Sequence, residues 1–267
     1  MFVETHDPRY EEGRENVNYP DFSRCTYFST TTGRETHMNI LLPDHYDQER
    51  KYPVLYLLHG FFDNEEWMAR REVSLSRILT NLQLDGHAKE MIVVLPYIYC
   101  STDQDICTGM DLKSCLAYDN FINELVNDLM PYVESHFPVA TGRQNTAISG
   151  FSMGGREALF ISFRRPDLFT YVGACCPAPG LVKIEHSQMH PGQIKPEEMK
   201  YPEEYKPKTL LISSSRADDV VTTAPDTYRR ILVNNGVSFI SHVMTYPGHD
   251  FTSLKPHLFN FLRLVFK

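Results

Sequence analysis

The sequence lacks the features of a nucleic-acid-binding or membrane-spanning protein. It has no block of basic residues, since Arg70-Arg71 and Arg164-Arg165 are isolated pairs, and its formal net charge is −8. It has no apolar run long enough to cross a bilayer, and residues 1–18 are acidic and polar instead of basic and then apolar. We therefore expect no nucleic-acid partner, no membrane partner and no signal peptide.

Cysteine is scarce and scattered, with six residues in a chain of 267. Cys175 and Cys176 are neighbours that cannot easily bond to each other, and Cys100, Cys107 and Cys115 fall in or near one loop without the histidine spacing of a zinc site. We expect reduced thiols and no disulfide framework, which is typical of cytoplasmic proteins. An export signal or a larger secreted chain, if trimmed away, would change this expectation to secretion.

Strand-like and helix-like patterns alternate along the chain without an internal repeat. Unbroken apolar runs suit a parallel sheet covered by helices on both faces, and the first two strands are expected to form an antiparallel hairpin at its edge. The predicted strands are Cys25–Thr30, Thr36–Leu42, Val54–His59, Met91–Pro96, Asn145–Ser149, Tyr171–Cys176, Thr209–Ser213 and Ser238–Tyr246. The pattern predicts an α/β fold.

One long helix is predicted between these strands, over Ala117–Phe137. Its buried stripe is predicted from helical spacing to comprise Phe121, Leu125, Leu129 and Tyr132. With 42% hydrophobic residues the chain can bury a full core. We expect one catalytic domain over residues 21–267, preceded by an N-terminal arm at residues 1–20.

The pentapeptide Gly150-Phe151-Ser152-Met153-Gly154 matches G-x-S-x-G between an apolar run and a helix-like stretch at residues 156–165. In that context the pattern predicts a sharp strand-to-helix turn that presents a serine hydroxyl to solvent. The flanking glycines let the two backbones approach closely, because a Cβ there would clash. Ser152 is therefore the predicted nucleophile. The alternative is a chance match in a loop, which is common for so short a pattern.

A serine nucleophile needs a base and an orienting acid, which are expected downstream in the order acid, then histidine. His249 is the predicted base, because it lies in a loop between a strand-like run and a terminal helix at residues 253–266. Asp218 and Asp219 compete as the acid. We favour Asp218, whose loop position lets a carboxylate reach back to the imidazole, although an N-cap is an ordinary role for aspartate as well.

The remaining histidines do not predict a metal site. His186 and His190 stand four residues apart, but no Glu lies between them and the region is rich in Pro and Gly. His242 falls within a strand pattern and His257 within a helix, so both are expected to be surface or packing residues. The predicted reaction needs no metal and no cofactor.

An oxyanion hole requires two donors that point at the developing charge on a carbonyl oxygen. The backbone N–H of Met153, directly after the nucleophile, is the first predicted donor. The second is the N–H of Phe61, in the loop after the run Val54–His59. The His59 side chain is expected to be structural, because His249 already carries the proton.

Several segments together resemble carbohydrate esterase family 1, which includes feruloyl esterases and some acetyl xylan esterases, and the wider esterase D relatives. They are His59-Gly60 with Trp67, Ala117–Phe121 through Pro138, Ile148–Arg165, Pro177–Gly180, Asp218–Val221 and Gly248–Phe251. The resemblance extends from about Arg24 to the C-terminus and implies an α/β-hydrolase fold with a triad of Ser152, Asp218 and His249. Ser215 departs from the family, in which the turn before the acid often carries Gly.

The resemblance implies a serine carboxylesterase that acts on ester groups of plant cell-wall xylan or its oligosaccharides. Feruloyl esters are favoured, because Phe62, Trp67, Tyr97 and Phe151 are expected to line an aromatic cleft. Segments near residues 97–115 and 177–206 begin at the carboxyl ends of strands, where ligands bind in such sheets, and are expected to shape the pocket. Acetyl xylan esterase and acyltransferase activities remain alternatives, and the sequence does not determine the oligomeric state.

Overall fold

The fold is described by a computed structural model for residues 2–183, 190–245 and 248–267. Two residues named in the sequence analysis, His186 and Tyr246, lie outside these ranges. The strands are β1 (Ser23–Ser29), β2 (Arg34–Leu41), β3 (Val54–Leu58), β4 (Ile92–Pro96), β5 (Thr146–Phe151), β6 (Tyr171–Cys175), β7 (Thr209–Ser215) and β8 (Ile240–Met244). The helices are α1 (Glu65–Ala69), α2 (Leu75–Leu84), α3 (Leu112–Asp119), α4 (Phe121–Glu124), α5 (Met130–His136), α6 (Met153–Arg164), α7 (Ala224–Asn234) and α8 (Phe251–Leu264).

The strands form one sheet in the order β1-β2-β4-β3-β5-β6-β7-β8. The strands from β4 to β8 in that order pair in parallel, whereas β2 pairs antiparallel with both β1 and β4. Every residue of β3, β4, β5 and β6 is buried, as expected for parallel strands covered on both faces. The predicted α/β fold with an antiparallel N-terminal edge is confirmed.

Two apolar cores lie on the two faces of this sheet. One core contains buried side chains from α3 to α7, and the other contains those of α2 and α8. The central strands contribute alternate residues to each core, because successive side chains on a strand point to opposite faces. This sandwich holds the carboxyl ends of β3, β5, β6, β7 and β8 along one edge of the sheet.

The helix predicted over Ala117–Phe137 is longer and interrupted. It begins earlier, with α3, and a π-helical segment, Leu125–Leu129, joins α4 to α5. A π turn takes up an additional residue and so rotates the helical turns beyond it. The fully buried stripe therefore continues at Val133, whereas the predicted member Tyr132 is only partly buried against the same core.

The first residues of the chain lie across α2 and α8. The backbone N–H of Val3 donates to Asn260 Oδ1 at 2.9 Å, and Asn260 Nδ2 donates to the Val3 carbonyl at 2.7 Å. The Tyr10 ring packs edge-on against Phe259. Among the helices of the described residues, none has the length and apolar character to span a bilayer.

Candidate active site

The turn from β5 into α6 brings backbones so close that only glycine fits beside Ser152. A Cβ on Gly150 would lie 2.3 Å from the carbonyl carbon and oxygen of Gly154, and one on Gly154 would lie 2.3 Å from the carbonyl oxygen of Leu58. Ser152 itself has φ 55° and ψ −115°, a conformation that a non-glycine residue rarely adopts. The predicted strand-to-helix turn is present, and it projects the serine hydroxyl at the carboxyl edge of the sheet.

Three side chains from separate loops meet at this edge. His249, between β8 and α8, places Nε2 2.8 Å from Ser152 Oγ. Its Nδ1 lies 2.7 Å from Oδ2 of Asp218, which lies after β7. The structure thus brings together the three side chains that the sequence pointed to, with hydrogen-bond distances at both links.

The adjacent carboxylates of Asp218 and Asp219 differ in burial and in hydrogen bonding. Asp218 is buried, and its second oxygen accepts hydrogen bonds from the N–H groups of Val220 and Val221, at 3.0 and 3.1 Å. Asp219 is exposed. The Asp218 carboxylate therefore caps its own loop and faces His249 at the same time, so the capping role and the orienting role are compatible.

The two predicted oxyanion donors flank Ser152. Within the described residues, neither the N–H of Phe61 nor that of Met153 donates a hydrogen bond to the protein. A Cβ built on Gly60 would lie 3.5 Å from the Cβ of Ser152, so the loop that carries Phe61 passes directly beside the nucleophile. Both N–H groups are free to bind an oxyanion formed on an ester carbonyl.

The His59 side chain holds the loop that carries Phe61 in place through two hydrogen bonds. Its Nε2 accepts the N–H of Ile98 at 3.0 Å, so the proton resides on Nδ1, which donates to the Gly60 carbonyl at 2.8 Å. Burial lowers the pKa of His59 to about 4, and the ring is neutral. The Gly60 carbonyl and the Phe61 N–H belong to one peptide plane. His59 therefore orients the peptide that carries the predicted oxyanion donor, which agrees with the structural role predicted for it.

A cavity of about 450 Å³ opens in front of Ser152 and His249. Three of the four aromatic residues predicted to bind substrate, Phe62, Trp67 and Phe151, lie in its wall. Trp67 stacks on Phe151 with ring centroids 5.2 Å apart and planes inclined by 14°. The wall is therefore aromatic on the side of Ser152 and His249, in agreement with the cleft predicted from the sequence.

Tyr97 does not join this wall. Its ring is stacked between His37 and His59, at 5.3 and 5.6 Å, and its hydroxyl donates to the Asp105 carbonyl at 2.8 Å. His59 thus separates Tyr97 from the nucleophile. The prediction that Tyr97 lines the cleft is wrong, because its position directly after a strand does not determine on which side of the oxyanion loop the ring packs.

The two segments expected to shape the pocket, 97–115 and 177–206, contribute unequally to the cavity wall. Met110, from the segment near residues 97–115, lies in the cavity wall, but none of the described residues of 177–206 does. The second segment packs against α3 and α6 instead, where Gln193 Nε2 donates to Asp119 Oδ1 at 2.9 Å and Arg164 pairs with Glu198 at 2.9 Å. Its first residues lie beside the nucleophile, since the Ala178 N–H donates to the Ser152 carbonyl at 2.9 Å, and its later described residues pack on those helices.

Comparison with known proteins identifies the family of this chain. Residues 29–224 match the sequence model of the Esterase family. A solved structure of a CE1 ferulic acid esterase from the anaerobic fungus Anaeromyces mucronatus is 39% identical, covers 100% of this chain and 98% of its own, and superimposes with a TM-score of 0.92. This chain belongs to carbohydrate esterase family 1. The esterase is accordingly a carboxylic ester hydrolase.

A second solved structure and a bacterial sequence are also similar to the esterase. The same fungal enzyme has been solved in complex with ferulic acid, and that structure matches with a TM-score of 0.93 at 39% identity. An endo-1,4-beta-xylanase/feruloyl esterase from Xylanibacter ruminicola is 32% identical over 177 residues, which are 64% of this chain. The match spans 23% of that relative's length.

The cysteine beside the triad of the esterase was missed by the sequence analysis. Cys176 comes directly after β6, is fully buried, and has φ 45°, a left-handed backbone conformation. Its thiol, the Asp218 carboxylate and a ring nitrogen of His249 lie within 4.8 Å of one another. Since β6 lies between β5 and β7 in the sheet, the residue after β6 must stand near the residues at the ends of its neighbours. The strand order would have predicted the position of Cys176, but that order cannot be derived from the sequence alone.

This group of three is also the one cluster of potential metal ligands that the described part of the chain contains. His190, the other histidine weighed as a ligand, places Nε2 2.8 Å from Asp119 Oδ2. That contact fixes the ring in a network with carboxylate and amide groups. His190 therefore has a packing role in this structure.

Neighbouring groups set the charge of His249, the predicted base of the esterase. Burial alone would lower the pKa of His249, but contacts with Asp218 and Cys176 outweigh it and raise the pKa above its ordinary value of 6.5. Burial raises the pKa of Asp218, but the hydrogen bonds from His249, Val221 and Val220 outweigh it and hold the pKa below its usual value. The carboxylate is therefore ionised and favours an imidazolium.

Replacing Cys176 by alanine is expected to move the rise of kcat/KM with pH toward lower pH. His249 can accept a proton only when neutral, so kcat/KM increases as pH rises through its pKa. The wild-type midpoint is expected above 6.5, and removing the thiol removes one of the groups that raise it. Rates on 4-nitrophenyl acetate from about pH 5 to about pH 10 measure the midpoint.

Cys25→Ala is the matched control for this experiment, because Cys25 lies on β1, at the opposite edge of the sheet from β8. Its profile should coincide with that of the wild type. A midpoint that stays in place or rises in Cys176→Ala contradicts the assigned electrostatic role of the thiol.

Proposed function

We propose that the esterase releases hydroxycinnamic acids, above all ferulic acid, from arabinoxylan or its oligosaccharides by a Ser-His-Asp acyl-enzyme mechanism. The observation that carries the proposal is an aromatic cavity that opens onto a hydrogen-bonded Ser152, His249 and Asp218. The ferulic acid complex of the fungal relative supports the aromatic acyl group. The bacterial xylanase/feruloyl esterase supports a xylan-linked substrate.

The acylation step uses the contacts of the triad. Ser152 Oγ attacks the ester carbonyl carbon while His249 Nε2 takes its proton, and Asp218 holds the imidazole in the required tautomer and stabilises the imidazolium. The N–H groups of Phe61 and Met153 bind the carbonyl oxygen as it becomes negative. His249 then gives the proton to the departing sugar oxygen as the carbon–oxygen bond breaks.

Deacylation repeats these steps with water. His249, neutral again, takes a proton from a water molecule that attacks the acyl carbon of the ester on Ser152. The oxyanion is held by the same two N–H groups. Return of the proton to Ser152 Oγ breaks the acyl–enzyme bond and frees the carboxylic acid.

The acyl group fits the aromatic part of the cavity wall. Phe151 lies between Trp67 and His249, with ring centroids 5.2 and 4.6 Å away. A flat, conjugated acyl chain can pack along such a face, and aromatic pairs contribute about 0.5–1.5 kcal/mol beyond the area they bury. An acetyl group would leave most of the 450 Å³ cavity unfilled.

The test is a side-by-side measurement of initial hydrolysis rates on methyl ferulate and on acetylated xylan, with Ser152→Ala as the control. Faster release of ferulate, absent from the variant, is the expected result. Release of acetate alone would reassign the substrate to acetylated xylan while keeping the triad. If an added alcohol captures the acyl group in preference to water, acyl transfer is the main reaction and the proposed release of ferulic acid fails.

A further inference from the structure

The carboxyl group of Asp63 stands in the cavity wall, where no described residue donates a hydrogen bond to it. It lies in the same cavity as Ser152 and His249, and in the part of the chain that the structure describes no hydrogen bond or ion pair engages its side-chain oxygens. Burial raises the pKa of Asp63 to about 6, so the group is mostly ionised at neutral pH. An ionised carboxylate without donors in a half-buried site is costly, unless a ligand supplies them.

Gly60 shows where this carboxyl stands relative to the nucleophile. A Cβ built on Gly60 would lie 2.8 Å from Asp63 Oδ2 and 3.5 Å from the Cβ of Ser152. The carboxyl therefore lies close to Ser152 and flanks the position that an ester attacked by Ser152 would take. The ring hydroxyl of a hydroxycinnamoyl group lies a vinyl group and a benzene ring beyond the ester carbon. It is therefore too far from the Asp63 carboxyl to donate a hydrogen bond to it. The alcohol part of the substrate, in contrast, begins at the ester oxygen.

We propose that Asp63 forms a leaving-group subsite, in which its carboxylate accepts hydrogen bonds from the sugar hydroxyls adjacent to the scissile ester. This inference rests on the proposed function, because it takes the alcohol to be a sugar. A carboxylate offers two acceptor oxygens and no donor, and a pentose offers several hydroxyl donors next to its esterified oxygen. The positive charges that face Asp63 are those of Arg70 and His249, and both favour its ionised form.

The subsite is tested by comparing two esters of the same acid. We expect Asp63→Asn to lower kcat/KM on a feruloyl ester of arabinose by about tenfold to hundredfold, the range for a lost hydrogen bond to a charged group. Methyl ferulate offers no sugar hydroxyl, so its kcat/KM should stay close to the wild-type value. Glu72→Gln is the matched control, because Glu72 lies in the same cavity wall but is exposed. It should show no selective loss.

Each outcome has one interpretation. An equal loss of kcat/KM on both esters would mean that Asp63 acts on the ester chemistry, and an unchanged rate on the sugar ester would mean that it touches no sugar; either overturns the subsite. A different result would refute the proposed function: the wild-type enzyme would release no ferulate from either ester. Acetylated xylobiose and ethyl acetate would then replace the two ferulates, and only a selective loss on the sugar ester in Asp63→Asn would support the subsite.

Discussion

Replacing Ser152 by alanine is expected to lower kcat for ester hydrolysis by about a millionfold, the size of the effect when a serine nucleophile is removed from a triad. The variant has no atom that can form the acyl-enzyme. Its backbone is expected to keep the tight turn, since alanine differs only by the hydroxyl. Steady-state rates on methyl ferulate, with circular dichroism as the test of folding, give the result.

A double variant tests the triad more sharply, because the losses in kcat from residues that act as one unit do not add. In a triad that acts as one unit, Ser152→Ala combined with His249→Ala should be no slower than Ser152→Ala alone. Ser135→Ala, at an exposed position on α5, is the control for a serine removed elsewhere and should match the wild type. If the losses of the two single variants multiply in the double variant, the two residues act independently and the mechanism is wrong.

The second large effect is expected from Asp218→Asn, with a fall in kcat of about ten thousandfold. The amide has nearly the shape of the carboxylate, but its NH2 group can donate to Nδ1 of His249 and so favour the wrong tautomer. Loss of the negative charge also removes the stabilisation of the imidazolium. The measurement is kcat on methyl ferulate, compared directly with Asp219→Asn.

Asp219→Asn is the matched control, since Asp219 is the adjacent, exposed carboxylate. It should retain nearly full activity. In the Asp218→Asn variant the new amide oxygen can still accept the N–H groups of Val220 and Val221, so thermal unfolding should show an intact loop. A comparable fall in kcat in Asp219→Asn, or activity that survives in Asp218→Asn, would exclude Asp218 as the orienting acid.

Much of the fold can be predicted from local patterns along the chain. The predicted strands lie within a few residues of the observed ones, because each is an apolar run bounded by turn residues. The prediction for the helix Ala117–Phe137 fails at the π-helical segment Leu125–Leu129. An inserted residue of that kind changes the helical period without a distinctive residue type, so periodicity alone could not reveal it.

The cavity wall was harder to predict than the triad. Phe62, Trp67 and Phe151 reach the cavity, but Tyr97 packs behind His59, and no described residue of the segment 177–206 lies in the cavity wall. An aromatic residue after a strand can satisfy its burial on either side of a loop. Packing against residues distant in sequence decides which side it takes.

The sequence by itself determined the α/β class and the strand-to-helix turn at Ser152, because both depend on local hydrophobic spacing and on glycines where backbones meet. The order of chemical groups along the chain also determined the candidates His249 and Asp218. Only the tertiary structure placed Cys176 against the histidine and Asp63 beside the nucleophile. Those contacts depend on strand order and loop packing, which arise from interactions between residues far apart in the chain.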